Sequence, residues 1–276
     1  MTSLEVLFSP AEHSVLPQRE LTGTLCVVFD VLRATTTMIT ALAHGARAII
    51  PVSEIAEALA IKGRRPEVLL AGERDGVRIR TAQTGSLDFD LGNSPREFTP
   101  ERVKGKTIAM TTTNGTRALR ACAGAKTVLI GSFLNLRATA DWLREQAPPN
   151  LLVIGAGTLD QAAYEDTLAA GALCDLLWPD YVAGQIADSA IMARRLYVGA
   201  RDNLLDAFRQ SRNGRRLLAK PELAADLAVC AQRDVLTVLA ALGADGVVRT
   251  LESMGLLTGP SPCLLPSGWG EGGAAG

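Results

Sequence analysis

Short apolar runs and amphipathic stretches alternate along most of the chain. Residues 25–31 (LCVVFDV) are continuously apolar up to Asp30 and rich in Val, which predicts a strand buried on both faces. Polar residues 33–37 (RATTT) follow, then a helical pattern through Ile39, Leu42 and Ala43 that Gly45 stops. Residues 48–52 (AIIPV) read as the next strand, with Pro51 marking its end or an edge. Residues 53–62 read as a short amphipathic helix with Ser53 as N-cap. Further strands are predicted at 67–71 (EVLLA), 106–110 (KTIAM), 127–131 (TVLIG) and 151–154 (LLVI). Helices are predicted from the Thr-rich segment 111–116 to Ala123, over 135–145, and from about 162 to 177. Beyond Pro179 the pattern is mostly helical to about residue 257.

This rhythm predicts a layered α/β fold, with a mainly parallel or mixed sheet flanked by helices. One unit over 1–258 is expected, two α/β lobes of about 1–145 and 146–258 being the alternative division, with a Gly/Pro-rich tail at 259–276. Segments 26–50 and 105–129 superpose without a gap. Each reads strand, Thr-rich loop, helix, Gly-Ala, strand, a rhythm that any two βαβ units share. Ligands in such folds sit at the carboxyl ends of strands. The polar segment 74–105 is long for a loop inside a compact domain, and loops of that length usually serve function.

Apolar residues make up 47% and charged residues 21% of the 276, so a packed core is expected and disorder is not. A net charge of -1 gives no global basic footprint, which argues against a nucleic-acid partner. The most apolar helical stretch carries Asp226, Arg233 and Asp234, which argues against a membrane span. The N-terminal residues lack the pattern of a signal peptide, and five scattered cysteines without a CxxC pair suit a reducing, cytoplasmic setting. A homo-oligomer is compatible with the sequence.

Several chemistries fail on spacing. The histidines are His13 and His44 alone, with no HExxH and no GxSxG string. His44, beside the helix stop, is expected to meet free carbonyls. Gly155-Ala156-Gly157 lacks the third glycine of a dinucleotide fingerprint, and Gly105-Lys106-Thr107 lacks the first glycine of a P-loop.

Four polar elements remain at strand ends. Asp30 with Arg33 is the first and Glu73 after EVLLAG the second. A carboxylate there is costly unless it is paired or binds a cation. The third is Glu165-Asp166 at a helix start, where acidic residues also simply complement the helix dipole. The fourth is Thr111 to Thr116 (TTTNGT), whose hydroxyls, Asn amide and helix-start N–H groups make an oxyanion cradle that a mere N-cap does not explain. Gly115 would permit close backbone approach to a ligand or a positive φ. Oxygen-only ligands and few histidines favour Mg²⁺ over Zn²⁺, and metal-assisted phosphoryl transfer follows.

The strings FDVLRATTT (29–37), GNSP (92–95), TTTNGT (111–116) and YEDTLAAG (164–171), with Gly72-Glu73 between the first two, resemble the 2-phosphosulfolactate phosphatase family. The resemblance runs in order over about residues 25–235. It implies an α/β catalytic unit, Mg²⁺-dependent hydrolysis of 2-phosphosulfolactate to 3-sulfolactate and phosphate, and a place in coenzyme M biosynthesis. The motif positions carried over are Asp30, Arg33, Glu73, Asn93, Ser94, Thr112, Thr113, Asn114, Gly115, Thr116, Glu165 and Asp166. Asp30, Glu73 and Asp166 are assigned to the metal, and Asp30, Arg33 and Glu165 to catalysis. Arg33, Asn93, Ser94 and residues 112–116 are assigned to the small anionic phosphoester. Ser211–Gly214 (SRNG) and 225–230 (ADLAVC) also resemble the family without an assigned role. The alternative function is a non-catalytic module that binds a phosphorylated metabolite.

Overall fold

The computed structural model describes residues 2–257; the predicted tail at 259–276 and Cys263 lie outside the described residues. Eleven strands form one sheet: β1 (Ser3–Leu7), β2 (Thr24–Phe29), β3 (Ala48–Val52), β4 (Leu69–Arg74), β5 (Val77–Arg78), β6 (Thr107–Thr111), β7 (Thr127–Gly131), β8 (Asn150–Gly155), β9 (Gln185–Ile186), β10 (Ala240–Leu242) and β11 (Val248–Thr250). Their order across the sheet is β5-β4-β6-β3-β11-β10-β7-β2-β8-β1-β9. The main helices are α1 (Ala34–Ala43), α2 (Ile55–Arg64), α3 (Gly115–Ala121), α4 (Leu136–Gln146), α5 (Tyr164–Tyr181), α6 (Asp188–Ala200), α7 (Leu204–Gln210) and α8 (Arg212–Leu218). No helix among the described residues is long and apolar enough to cross a membrane.

The sheet is mixed in a particular way. β4, β6 and β3 are mutually parallel, and so are β7, β2, β8, β1 and β9. Between the two sets lies the antiparallel β10–β11 hairpin, which pairs antiparallel with β7 on one side and β3 on the other. Three reversals separate the sets, so they run in opposite directions. The repeated segments explain the arrangement. Their units, β2-α1-β3 and β6-α3-β7, interleave: β2 pairs with β7 and β6 pairs with β3. The two strands of one unit are therefore antiparallel and not neighbours, unlike those of an ordinary βαβ unit.

Three segments differ from the sequence reading. The stretch beyond Pro179 contains β9, β10 and β11, because Val235, Val238, Val247 and Val248 favour extended backbone and Gly246 turns the chain at φ +74°. Thr35, Thr36 and Thr37 lie inside α1 and are fully buried, with their hydroxyls bonded to the carbonyls of Asp30, Val31 and Asn93. Helix α2 is capped by Glu54 in place of Ser53, whose carbonyl and hydroxyl instead accept from Arg74 and Arg120.

Alternate residues of β2 divide between two cores, as a doubly buried strand requires. Leu25, Val27 and Phe29 pack with α4, α5 and α6, while Cys26 and Val28 join residues of both strand sets around α1 and α3. The α5–α6 contact is close: a Cβ on Gly171 would sit 2.1 Å from the carbonyl oxygen of Ala193. Gly171→Ala should gain about 1 kcal/mol of helix propensity but force two packed backbones apart, at about 1–3 kcal/mol. Net destabilisation is expected in urea unfolding; a variant as stable as wild type would show that α6 moves freely.

Candidate active site

Asp30 directly follows β2 and is 8% exposed. Its Oδ1 accepts the Ala34 N–H at the start of α1 (3.2 Å), and its carboxylate also accepts the Gly115 N–H at the start of α3. The two helices belong to different interleaved units, so one carboxylate ties both together. A Cβ on Gly115 would lie 2.7 Å from Asp30 Oδ2 and 2.8 Å from the Ala34 side chain. Glycine is needed here for its approach to Asp30, not to a ligand. Burial is the main force that raises the Asp30 carboxyl to about 7; the Ala34 N–H opposes it, and the Glu73 and Glu165 charges reinforce it.

A cleft of about 100 Å³ opens beside Asp30, lined by Arg33, Glu73, Asn93, Thr112, Thr113 and Asn114 among others. Sequence positions far apart are thus brought together at one place. Within the Thr-rich loop the hydroxyls divide by role. Thr111 bonds the Ser53 carbonyl, Thr113 bonds Glu73 Oε1 at 2.9 Å, and Thr116 bonds the Thr112 carbonyl. Thr112 Oγ1 and Asn93 Oδ1 are buried without a partner among the described residues. Nothing among them engages the Asn114 amide either, and Asn114 lines the cleft.

The acidic residues differ in what they hold. Glu73 lies inside β4, near its end. Its Oε2 accepts the Gly76 N–H at 2.6 Å, and Oε1 accepts both the N–H and the hydroxyl of Thr113. Asp166 Oδ1 accepts the Val31 N–H (2.8 Å) and Oδ2 the Gly157 N–H (3.1 Å). Burial, with Glu165 and Asp30 nearby, raises the Asp166 carboxyl well above the usual range. Glu165 is 1% exposed, with Oε1 bonded to Asn213 and Oε2 unpartnered. Asp30, Glu73 and Asp166 do not assemble as one metal-binding trio: no group of three or more His, Cys, Asp or Glu among the described residues is placed to hold a metal ion.

Arg33 and Ser94 face Asp226, a residue without an assigned role above. Arg33 Nη1 donates to Asp226 Oδ2 at 2.6 Å, and Ser94 Oγ and Arg96 Nε donate to Asp226 Oδ1 at 2.7 and 2.9 Å. Arg33 Nη2 bonds the Gly76 carbonyl at 2.7 Å. Asp226 is fully buried and supplies the counter-charge that lets Arg33 sit in the cleft wall. Removing one member of such a pair commonly costs about 3–5 kcal/mol. Ser94 is therefore a support for Asp226 and does not line the cleft; neither do Gly115 and Thr116. Asn213, Thr158 and Arg216 line it unforeseen, the first from the SRNG segment. His44 bonds the Phe98 carbonyl through Nδ1 at 2.6 Å.

With this geometry in view, comparison with known proteins decides the kinship. The model of the 2-phosphosulpholactate phosphatase family matches residues 11–244. The chain belongs to that family. A probable 2-phosphosulfolactate phosphatase of Synechococcus sp. (strain JA-3-3Ab) is 43% identical over 217 residues, covering 77% of this chain and 86% of the relative. Proteins of the same description from Symbiobacterium thermophilum and Caldanaerobacter subterraneus subsp. tengcongensis are 40% and 36% identical, over 82% and 86% of this chain and 94% and 95% of their own lengths. In this 2-phosphosulpholactate phosphatase family member, the matched span contains every residue of the cleft.

The raised Asp30 carboxyl has a consequence for stability. The folded value of about 7 exceeds the ordinary 3.8, so between these values the native state binds more protons than the unfolded chain. The contribution is present in full below pH 3.8 and is lost as pH rises to about 7. It amounts to up to ~4 kcal/mol. In chelator, the wild-type melting temperature should fall over this range, and the Asp30→Asn variant should show a clearly shallower fall. Equal slopes would remove the burial of an ionisable Asp30.

Proposed function

We propose that the protein is a phosphoric monoester hydrolase that cleaves 2-phosphosulfolactate, or a closely similar small anionic phosphoester, to 3-sulfolactate and inorganic phosphate. The observation that carries this reading is Asp30, a carboxyl raised to about 7 beside a cleft with unpartnered polar oxygens, in a chain whose residues 11–244 match the family. Hydrolysis adds water to phosphorus and breaks the ester P–O bond. The departing alkoxide gains a proton, and the attacking water loses one. A carrier with a pKa near the working pH serves both transfers best, and burial brings Asp30 into that range. Asn114 and the Thr112 hydroxyl, without partners among the described residues, and Arg33, held by Asp226 and the Gly76 carbonyl, offer the phosphoryl oxygens hydrogen bonds and positive charge. Arg216, paired among the described residues with the exposed Asp75 at 3.0 Å, lines the cleft and would meet a second anionic group of the substrate.

Mg²⁺ fits this donor set in a restricted form. Glu73 and Asp166, whose oxygens all accept N–H or O–H bonds, hold the frame of the site. Glu165 retains Oε2 for a hard cation, and Mg²⁺ typically takes one or two carboxylates together with substrate phosphate and water. When bound there it would neutralise phosphate charge. The crowding of carboxyls supports a cation, since Glu165 raises the cost of ionising Asp30 and Asp166, and Asp30 raises that of Asp166.

Phosphate release from 2-phosphosulfolactate, with and without Mg²⁺, tests the reading. Wild type should turn over, chelator should abolish turnover, and Mg²⁺ should restore it. Asp30→Asn should lose at least about a hundredfold in kcat while keeping a cooperative melt. Binding without phosphate release would show a metabolite-binding module instead, and full turnover in chelator would remove the metal.

A further inference from the structure

The SRNG segment, 211–214, is tied by six side-chain hydrogen bonds, and one of them reaches a carboxylate. Ser211 caps α8: its Oγ accepts the Gly214 N–H and donates to the Phe208 carbonyl, both at 2.9 Å. Gly214 has no room for a side chain, since a Cβ would lie 1.7 Å from the Phe208 carbonyl oxygen. The α7–α8 corner is thereby fixed, and with it the first turn of α8. Arg212 holds the loop after β8, donating to the Thr158 carbonyl and to Gln161 Oε1. Asn213 stands between the two clamps. Its Nδ2 donates to Thr158 Oγ1 at 2.9 Å and to Glu165 Oε1 at 2.6 Å.

Glu165 is the carboxylate so held. It lines a second cleft of about 310 Å³, and Thr158 and Asn213 border both this cleft and the one beside Asp30. The hydrogen-bonded Thr158–Asn213 pair is shared by the two clefts. Oε1 is engaged by Asn213, and Oε2 is buried with no partner among the described residues. A buried oxygen of a charged group left without a partner is costly. The fold keeps that cost while fixing the other oxygen through a donor that is itself held on two sides.

We infer that Asn213 is a positioning residue for the reaction: its amide fixes Glu165 so that one carboxylate oxygen, Oε2, stays available to the chemistry at Asp30. SRNG is the mount for that amide. The inference rests on the phosphatase reading for its kinetic arm and on the Asn213–Glu165 bond for its structural arm.

Two measurements test it. In the first, Asn213→Ser removes the amide donor and shortens the side chain without adding charge, and Asn213→Asp sets an acceptor against Glu165. Both should lower kcat at least about tenfold, with KM for 2-phosphosulfolactate within about threefold of wild type. A residue needed only for folding would not split kcat from KM in this way. In the second, thermal melts follow Asn213→Asp alone and combined with Glu165→Gln. The single change should lower the melting temperature, and the combination should restore it, because the donor and acceptor exchange sides. Wild-type kcat in Asn213→Ser overturns the inference, as does a combined variant that melts no higher than Asn213→Asp. If wild type itself releases no phosphate, the phosphatase reading fails, and the melts alone decide whether Asn213 holds Glu165.

Discussion

A buried carboxylate binds the two interleaved strand-helix-strand units of this protein to each other. Asp30 accepts N–H groups from the first turns of α1 and α3, which belong to the two interleaved units. Helix N-termini favour negative charge, and the N–H bonds offset part of the penalty of burial. The remainder appears as a carboxyl raised to about 7. Gly115 is fixed by this contact, since any side chain would meet Asp30 and Ala34. The Thr hydroxyls of α1 are fixed by it too, because Thr35 bonds both the N–H and the carbonyl of Asp30.

Around that centre the polar groups divide into those that hold the frame and those left free. Asp226 with Arg33, Glu73 with Thr113 and Gly76, and Asp166 with Val31 and Gly157 are closed sets of hydrogen bonds. Thr112 Oγ1, Asn93 Oδ1 and Glu165 Oε2 are open. Preorganised polar groups act on a transition state because the folded chain has already met the cost of orienting them. The free groups are few, and they are held by neighbours that are fully engaged.

The motif strings made the cleft legible in the sequence. Asp30, Arg33, Glu73 and 112–114 meet there because each follows or ends a strand, and Asn93 joins them from the loop after the Leu91 bridge to Ala71. Continuous apolar runs such as 25–31 and 151–154 likewise announced buried strands. What stayed hidden depends on distant pairing. Ser94 reads as a ligand group until Asp226, 132 residues away, takes its hydroxyl. The Thr run 35–37 reads as a loop because a helix start with its hydroxyls turned onto backbone carbonyls has the same composition. The β10–β11 hairpin lies in an Ala- and Leu-rich stretch that suits a helix, and its partners β3 and β7 lie more than a hundred residues away. The two repeats announce themselves in sequence, but their exchange of strands does not, since each is locally an ordinary strand-helix-strand.

The state of Asp30 is open to direct observation by carbon NMR of side-chain carboxyls in metal-free protein, with Asp30→Asn identifying the resonance. A midpoint near pH 7 is expected. A midpoint near 4, the value of an exposed aspartate, would contradict a carboxylate buried between two helix starts, and the proton-carrying role would fall with it.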